Sequence, residues 1–343
     1  MTQQTKIEWT DFTVNFWEGC QKVGPGCDHC YAEARDTRFT GGKHWGPVAP
    51  RRKVKTGIAK LRKINREATQ FHSKHGHWPR VFCSSLSDIF DNAVDPAWRA
   101  EAFKELTAAT NTRPQLLTKR IGNVFQMVPA SWLTEWPQHI GLMITVVNQP
   151  EAVRDIPKLL DLKASIDIPW VGLSMEPLLG PVDLTLDGLV CLPCPHAADG
   201  IAMDPSTGAF ECCSKCDFTG IGDEWGIDWV IVGGESGHNA RPTHPDWIRS
   251  LRDQCEASGT PFLFKQIGEW TGWEETGSPP YWRNCYTGAE ADRHGLFPSD
   301  WDNAPNWDDG LSFIGERHVA FNRVGKGRAG RLLDGREWNG VPT

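Results

Sequence analysis

Long hydrophobic runs are missing from this sequence. Nothing approaches the roughly 18 consecutive apolar residues that suggest a membrane-spanning helix, and the opening stretch Met1-Thr2-Gln3-Gln4-Thr5-Lys6 is polar. No membrane association is therefore expected, and without an apolar signal segment the expected compartment is the cytoplasm, where thiols stay reduced. An excess of positive charge is missing too: the formal net charge is -7 over 343 residues. That argues against a chain coated for tight nonspecific DNA binding and leaves phosphate contact to local patches. Eleven cysteines in a reduced setting read as free thiols available to metals rather than as a disulfide framework. The length suits one large α/β barrel or two modest domains. Seventeen tryptophans are many for this length, and they read mainly as core and helix–sheet packing.

Three of the thiols crowd into one Gly/Pro-rich stretch. Cys20, Cys27 and Cys30 are spaced C-x6-C-x2-C across Gly19 to Tyr31. Structural zinc sites close with four protein ligands, and ordinary ferredoxin clusters also take four cysteines. Three local thiolates without a fourth close behind leave one iron of a four-iron cluster open to a substrate or cofactor.

From Arg80 onward, short apolar runs recur at roughly the period of a βα unit. They are Val81–Cys83, Gln115–Leu117, Ile140–Ile144, Trp170–Leu173, Trp229–Val232 and Pro261–Phe264, and Val14–Trp17 is a candidate first strand. Asp95-Pro96 and Pro245 read as helix starts, and Gly259 as a helix stop. The pattern implies about seven parallel strands, in either an open doubly wound sheet or a partial to full (β/α) barrel. Polar groups follow each strand: Ser84, Ser85 and Asp88; Lys119 and Arg120; Asn148 and Gln149; Glu176; Gly233, Gly234 and Glu235; Lys265 and Gln266. In parallel α/β folds the carboxyl ends of the strands form the ligand-binding rim. Taken singly, each such residue also fits a helix cap or a rim salt bridge.

The spacing breaks between Asp183 and Ile227, where Cys191 and Cys194, then Cys213 and Cys216, form two C-x2-C knuckles separated by 18 residues. That is a zinc-ribbon pattern, with Cys212 or His196 as alternative ligands and an auxiliary iron–sulfur cluster as the rival occupant. Residues Thr37 to Arg66 are basic and read either as a solvated face or as a phosphate-contacting patch beside the cysteine loop. Residues 268–343 read as a loop-rich cap, in which Lys326 to Arg331 is a weak phosphate-grip candidate. Cys83, Cys255 and Cys285 read as inert thiols. The expected organisation is a first part of the barrel with the cysteine loop over 1–182, a metal-binding insertion over 183–227, the last barrel strands and helix over 228–267, and the cap over 268–343.

The cysteine loop followed by Tyr31-Ala32-Glu33 resembles the radical S-adenosylmethionine superfamily, in a variant with a longer first spacing. With Lys6–Thr10, Ser85–Asp88, Leu117–Arg120, Ser174–Pro181, Gly233–Gly237 and Gly330–Arg336, the chain is similar to a phage-associated three-cysteine-motif family. The resemblance implies a barrel fold with a [4Fe-4S] cluster on Cys20, Cys27 and Cys30. It also implies S-adenosylmethionine on the open iron, an electron donor, and reductive cleavage that yields a 5′-deoxyadenosyl radical. The implied cofactor-binding positions are Ser84, Ser85, Asp88, Lys119, Asn148, Glu176, Gly233, Gly234 and Glu235, and Zn2+ is expected on the insertion cysteines. One departure is Thr145-Val146-Val147-Asn148, which lacks the carboxylate that relatives carry before the Asn.

The expected function is modification or repair of a nucleic acid or nucleotide. The alternatives are a radical enzyme acting on a peptide or small metabolite, and a non-catalytic iron–sulfur and zinc-stapled protein that binds nucleic acid or a partner protein.

Overall fold

The structure, a computed structural model, describes residues 2–185, 226–276, 281–284, 290–291 and 319–342. In chain order the elements begin with β1 (Phe12–Val14), β2 (Trp17–Glu18), α1 (Tyr31–Thr40), β3 (Arg52–Lys53), α2 (Gly57–His75), β4 (Arg80–Cys83) and α3 (Pro96–Ala108). There follow β5 (Arg113–Thr118), α4 (Val124–Met127), α5 (Ala130–Thr134), β6 (Gly141–Thr145), α6 (Gln149–Ile166) and β7 (Val171–Met175). The remainder comprises β8 (Trp229–Gly233), α7 (Pro245–Ser258), β9 (Phe262–Gln266), β10 (Trp270–Thr276), β11 (Tyr281–Asn284), β12 (Glu290–Ala291), β13 (Ala320–Arg323) and α8 (Lys326–Ala329).

The chain divides into two compact units, the first Met1–Thr145, Arg154–Ser174 and Ile221–Asp228, the second Val146–Val153, Met175–Gly220 and Trp229–Thr343. In the first, β1 pairs with β4, β4 with β5, β5 with β6 and β6 with β7, all in parallel. In the second, β8 and β9 are parallel. Within the first unit the strand order is β1-β4-β5-β6-β7, and in the second β8 lies beside β9. A doubly wound sheet would reverse direction at a switch point. Here the parallel strands follow chain order without reversal, β2 and β3 pairing apart from them, and the fold is a mixed α/β one consistent with a partial barrel. The strand faces are apolar and buried because helical crossovers cover them; every residue of β6, β7 and β8 is buried.

Local chemistry sets the helix ends. The Asp95 side chain accepts the Ala97 N–H ahead of Pro96 at the start of α3, and His244 caps α7 in the same way before Pro245. Gly259 ends α7 in the left-handed conformation. Trp17, Trp132, Trp136 and Trp229 are all fully buried, so tryptophan does pack the core. Cys83 and Cys255 are buried free thiols.

Two details differ from the sequence reading. The first strand lies at Phe12–Val14, and Trp17–Glu18 pairs antiparallel with Arg52–Lys53 instead. The tail is less loop-like than its composition suggests, since β10 to β13 form an antiparallel sheet in the order β12-β11-β10-β13. Glycine and proline between short strands mask the alternation that marks a sheet. Cys191, Cys194, His196, Cys212, Cys213, Cys216 and Cys285 lie outside the described residues. No helix among the described residues is long and apolar enough to cross a membrane.

Candidate metal and cofactor site

In the first unit the cysteine loop is bound to the turn that follows β4. The loop leaves β2 at Gly19, whose φ of +103° is left-handed and whose missing Cβ would lie 2.4 Å from the His44 carbonyl. The Gly19 N–H donates to the Leu86 carbonyl at 3.1 Å, and the Ser87 hydroxyl donates to the Trp17 carbonyl at 3.1 Å. Asn15 completes the join, donating to the Ser85 hydroxyl at 3.0 Å and accepting the Leu86 N–H at 2.8 Å. From the other side, the Gly46 N–H donates to the Cys20 carbonyl at 2.9 Å. Arg51 holds that segment through the carbonyls of His44, Gly46 and Ala49 while pairing with buried Asp91 at 2.6 Å.

Each cysteine meets a different surrounding. Cys27 closes a single 3-10 turn, Pro25–Cys27, and is buried. Cys30 stands immediately before α1, where burial pushes its thiol up against the opposing pull of the Glu33 and Ala32 N–H groups and the Lys119 charge. Cys20 is pushed up to about 11 by burial, opposed by Arg120 and reinforced by Asp88 and Asp91. Arg120 Nη2 lies 3.5 Å from Cys20 Sγ and donates to the Gln21 carbonyl at 3.0 Å. Lys22 draws the loop closed through the Asp28 carbonyl at 3.1 Å and Glu33 at 3.3 Å.

Asp88 organises this corner. Its carboxylate accepts the Phe90 N–H at 2.9 Å, the Thr118 hydroxyl at 2.8 Å, the Lys119 N–H at 3.1 Å and Arg120 Nη1 at 2.7 Å. With both oxygens engaged, Asp88 is built to hold the end of β5 and the Arg120 guanidinium. Ser84 differs: it is 3% exposed, and its hydroxyl has no partner among the described residues. An unsatisfied buried hydroxyl costs about 1–3 kcal/mol, which a bound group would relieve. Ser85 is engaged through Asn15, and its carbonyl accepts the Tyr31 hydroxyl.

The remaining predicted positions belong to the second unit. Asn148 caps α6, its side-chain oxygen accepting the Glu151 N–H at 3.0 Å. Glu151 in turn accepts the Val147 N–H at 3.1 Å, so a carboxylate does reach this strand end, from one helical turn later. Glu176 pairs with Lys265 at 2.8 Å, and a Cβ on Gly233 would come 3.1 Å from the Glu176 carboxylate. Gly234 is tighter still, at 1.8 Å from the Ile267 carbonyl. Glu235 is gripped by Arg241 at both oxygens, 2.7 and 2.8 Å. Gln266 donates to the Gly234 carbonyl at 3.1 Å.

The family described as "Protein of unknown function (DUF5131)" matches residues 4–342. The chain belongs to the DUF5131 family. No curated protein matches it. Among solved structures it is similar to "Spore photoproduct lyase complexed with dinucleoside spore photoproduct", with 12% identity and a TM-score of 0.36. The match covers 78% of this chain and 66% of that one.

In this DUF5131 member, Cys20, Cys27 and Cys30 lie on one anchored loop of the first unit. Among the described residues no group of three Cys, His, Asp or Glu is arranged to hold a single metal ion. A cluster with one thiolate per iron does not require that arrangement. A thiol loses its proton to solvent when a metal binds it, and here Arg120 beside Cys20, and Lys119 with the first N–H groups of α1 beside Cys30, favour the thiolate against burial. Arg120 is expected from the sequence among the polar groups after β5 but not among the cofactor contacts; only the fold shows that it reaches Cys20. The basic segment is largely spent on pairs within the fold: Arg51 with Asp91, Arg52 with Glu18, Lys53 with Glu101, Arg62 with Glu105 and Lys63 with Glu67.

Proposed function

We propose that this chain is a radical S-adenosylmethionine enzyme with a [4Fe-4S] cluster on Cys20, Cys27 and Cys30. The observation that carries the reading is three thiols on one anchored loop, with a guanidinium against Cys20 and a helix N-terminus behind Cys30. When bound, a cluster of this kind supplies one electron to the sulfonium of S-adenosylmethionine and thereby starts radical chemistry. The chain's own residues hold and shield it. Gly19 and Asn15 anchor the loop, Arg120 and Lys119 balance thiolate charge, and the Ser84 hydroxyl offers a hydrogen bond to a ligand beside the cluster. The substrate we infer is a nucleic acid or nucleotide, and the second cysteine group, Cys191, Cys194, Cys213 and Cys216, is assigned to zinc.

Anaerobic reconstitution with iron and sulfide, then reduction with S-adenosylmethionine present, tests the reading directly. The expected product is 5′-deoxyadenosine, formed slowly without substrate and faster with the correct nucleic acid. If none forms with nucleic-acid, nucleotide or peptide pools, and S-adenosylmethionine binds no better than to a cluster-free variant, the chain is a metal-stapled binding protein instead.

A further inference from the structure

The helix that follows Cys30 is built inside out. α1 buries Ala32 and Asp36 and exposes both its aromatic residues, Tyr31 at 58% and Phe39 at 69%. Asp36 is kept inward by the Thr40 hydroxyl at 2.6 Å and the His44 N–H at 3.0 Å. On the outward side, Tyr31, Arg35, Arg38 and Phe39 fall at i, i+4, i+7 and i+8, one helical stripe. The Phe39 ring lies 5.7 Å from the Arg35 guanidinium and 5.4 Å from that of Arg38, within cation–π range of both. Arg35 and Arg52 share the Glu18 carboxylate, and Arg38 adds a further cation to the outward stripe.

A ring that is 69% exposed offers surface on which a planar base can stack, and the two neighbouring guanidiniums are placed for the adjoining phosphates. We propose that the outer face of α1 is a docking surface for single-stranded nucleic acid, with Phe39 as the stacking platform and Arg35 and Arg38 as phosphate contacts. Charge complementarity selects this occupant: a neutral apolar partner would leave the guanidiniums uncompensated, and a duplex hides its base faces. Phe39 follows Tyr31 by eight residues, about 12 Å along the helix axis, so a strand seated there runs toward the cysteine loop. The inference rests on the proposed function for its purpose, since it names the substrate class, but the binding itself needs no cluster.

Fluorescence anisotropy of the full chain with a labelled oligothymidine 12-mer and its oligouridine counterpart provides the test. Phe39→Ala is expected to weaken binding at least about fivefold, with far-UV circular dichroism and iron content unchanged. Arg38→Ala is expected to weaken binding and to flatten the salt dependence by about 0.7 in log–log slope, the share of one neutralised phosphate on a single strand. The triple Cys20, Cys27 and Cys30 to Ala variant should still bind, so that failure of the radical chemistry and failure of this surface are separate results. The inference falls if neither oligonucleotide binds, if Phe39→Ala binds within twofold of the parent, or if polyglutamate competes as well as oligothymidine does. It falls equally if Phe39→Ala converts a dimer to a monomer, which would assign the face to a second copy of the chain.

Discussion

Asp88 and Arg120 form a 2.7 Å ion pair in which the two side chains are only 8% and 7% exposed, and the guanidinium extends past it to the Cys20 sulfur. Burial alone would disfavour the cation, but Asp88, Cys20 and Asp91 hold the Arg120 pKa above its ordinary value. A pair of this kind is costly to break from one side, because the partner remains buried and charged.

Removing one member should therefore separate stability from cluster chemistry. Asp88→Ala is expected to lose about 3–5 kcal/mol in urea unfolding. The double variant Asp88→Asn, Arg120→Met should recover much of that stability. It should still show a more negative cluster potential, since reduction adds negative charge that Arg120 no longer offsets. A tenfold fall in the one-electron reduction constant corresponds to about 59 mV, readable by an electron paramagnetic resonance titration. An unchanged potential with full iron content would remove Arg120 from cluster tuning.

The cysteine assignment has its own readout. Changing Cys20, Cys27 and Cys30 together to Ala is expected to abolish iron binding after anaerobic reconstitution while leaving circular dichroism intact. Retention of the full iron content would place the cluster on other cysteines.

Gly19→Ala examines the loop anchor without touching a ligand. The added methyl meets the His44 carbonyl at 2.4 Å, and the φ of +103° is strained for any side chain. The expected outcome is reduced iron incorporation together with a lower unfolding midpoint, against a smaller loss of stability and unchanged iron incorporation for Gly76→Ala, which meets only the cost of a left-handed helix cap. The latter also has positive φ, but its added methyl would meet nothing within 4 Å.

A pH-dependent contribution is expected from Asp11, which ties β1 to β4 through the Arg80 N–H at 2.8 Å and its guanidinium at 3.2 Å. Burial pushes this carboxyl up, but Arg80, assisted by His77, outweighs it and holds the group below its ordinary value. A depressed folded value means that the stabilisation is fully present above the unfolded value, about 3.9, and is lost as pH falls through the folded one. Asp11→Asn should lower stability at pH 7 and flatten the acid limb of a stability–pH curve, measured by urea unfolding between pH 2 and 7.

The order of strands and helices is legible in the sequence because its causes are local. Apolar runs bounded by turn residues, a carboxylate ahead of Pro96 and a glycine after Ser258 act within a few positions of themselves, and each element forms close to where they point. The spacing of the three thiols is legible for the same reason, since Cys20, Cys27 and Cys30 lie within one short stretch. Only the tertiary structure decides what the charged groups at the strand ends do. Asp88 meets Arg120 across 32 residues, Arg51 meets Asp91 across 40, and Glu176 meets Lys265 from another strand end. A carboxylate in the sequence reads equally as a ligand contact or as half of an ion pair. Which it becomes depends on the cations that folding brings within about 3–4 Å, where Coulomb attraction in a poorly solvated interior outweighs any local preference.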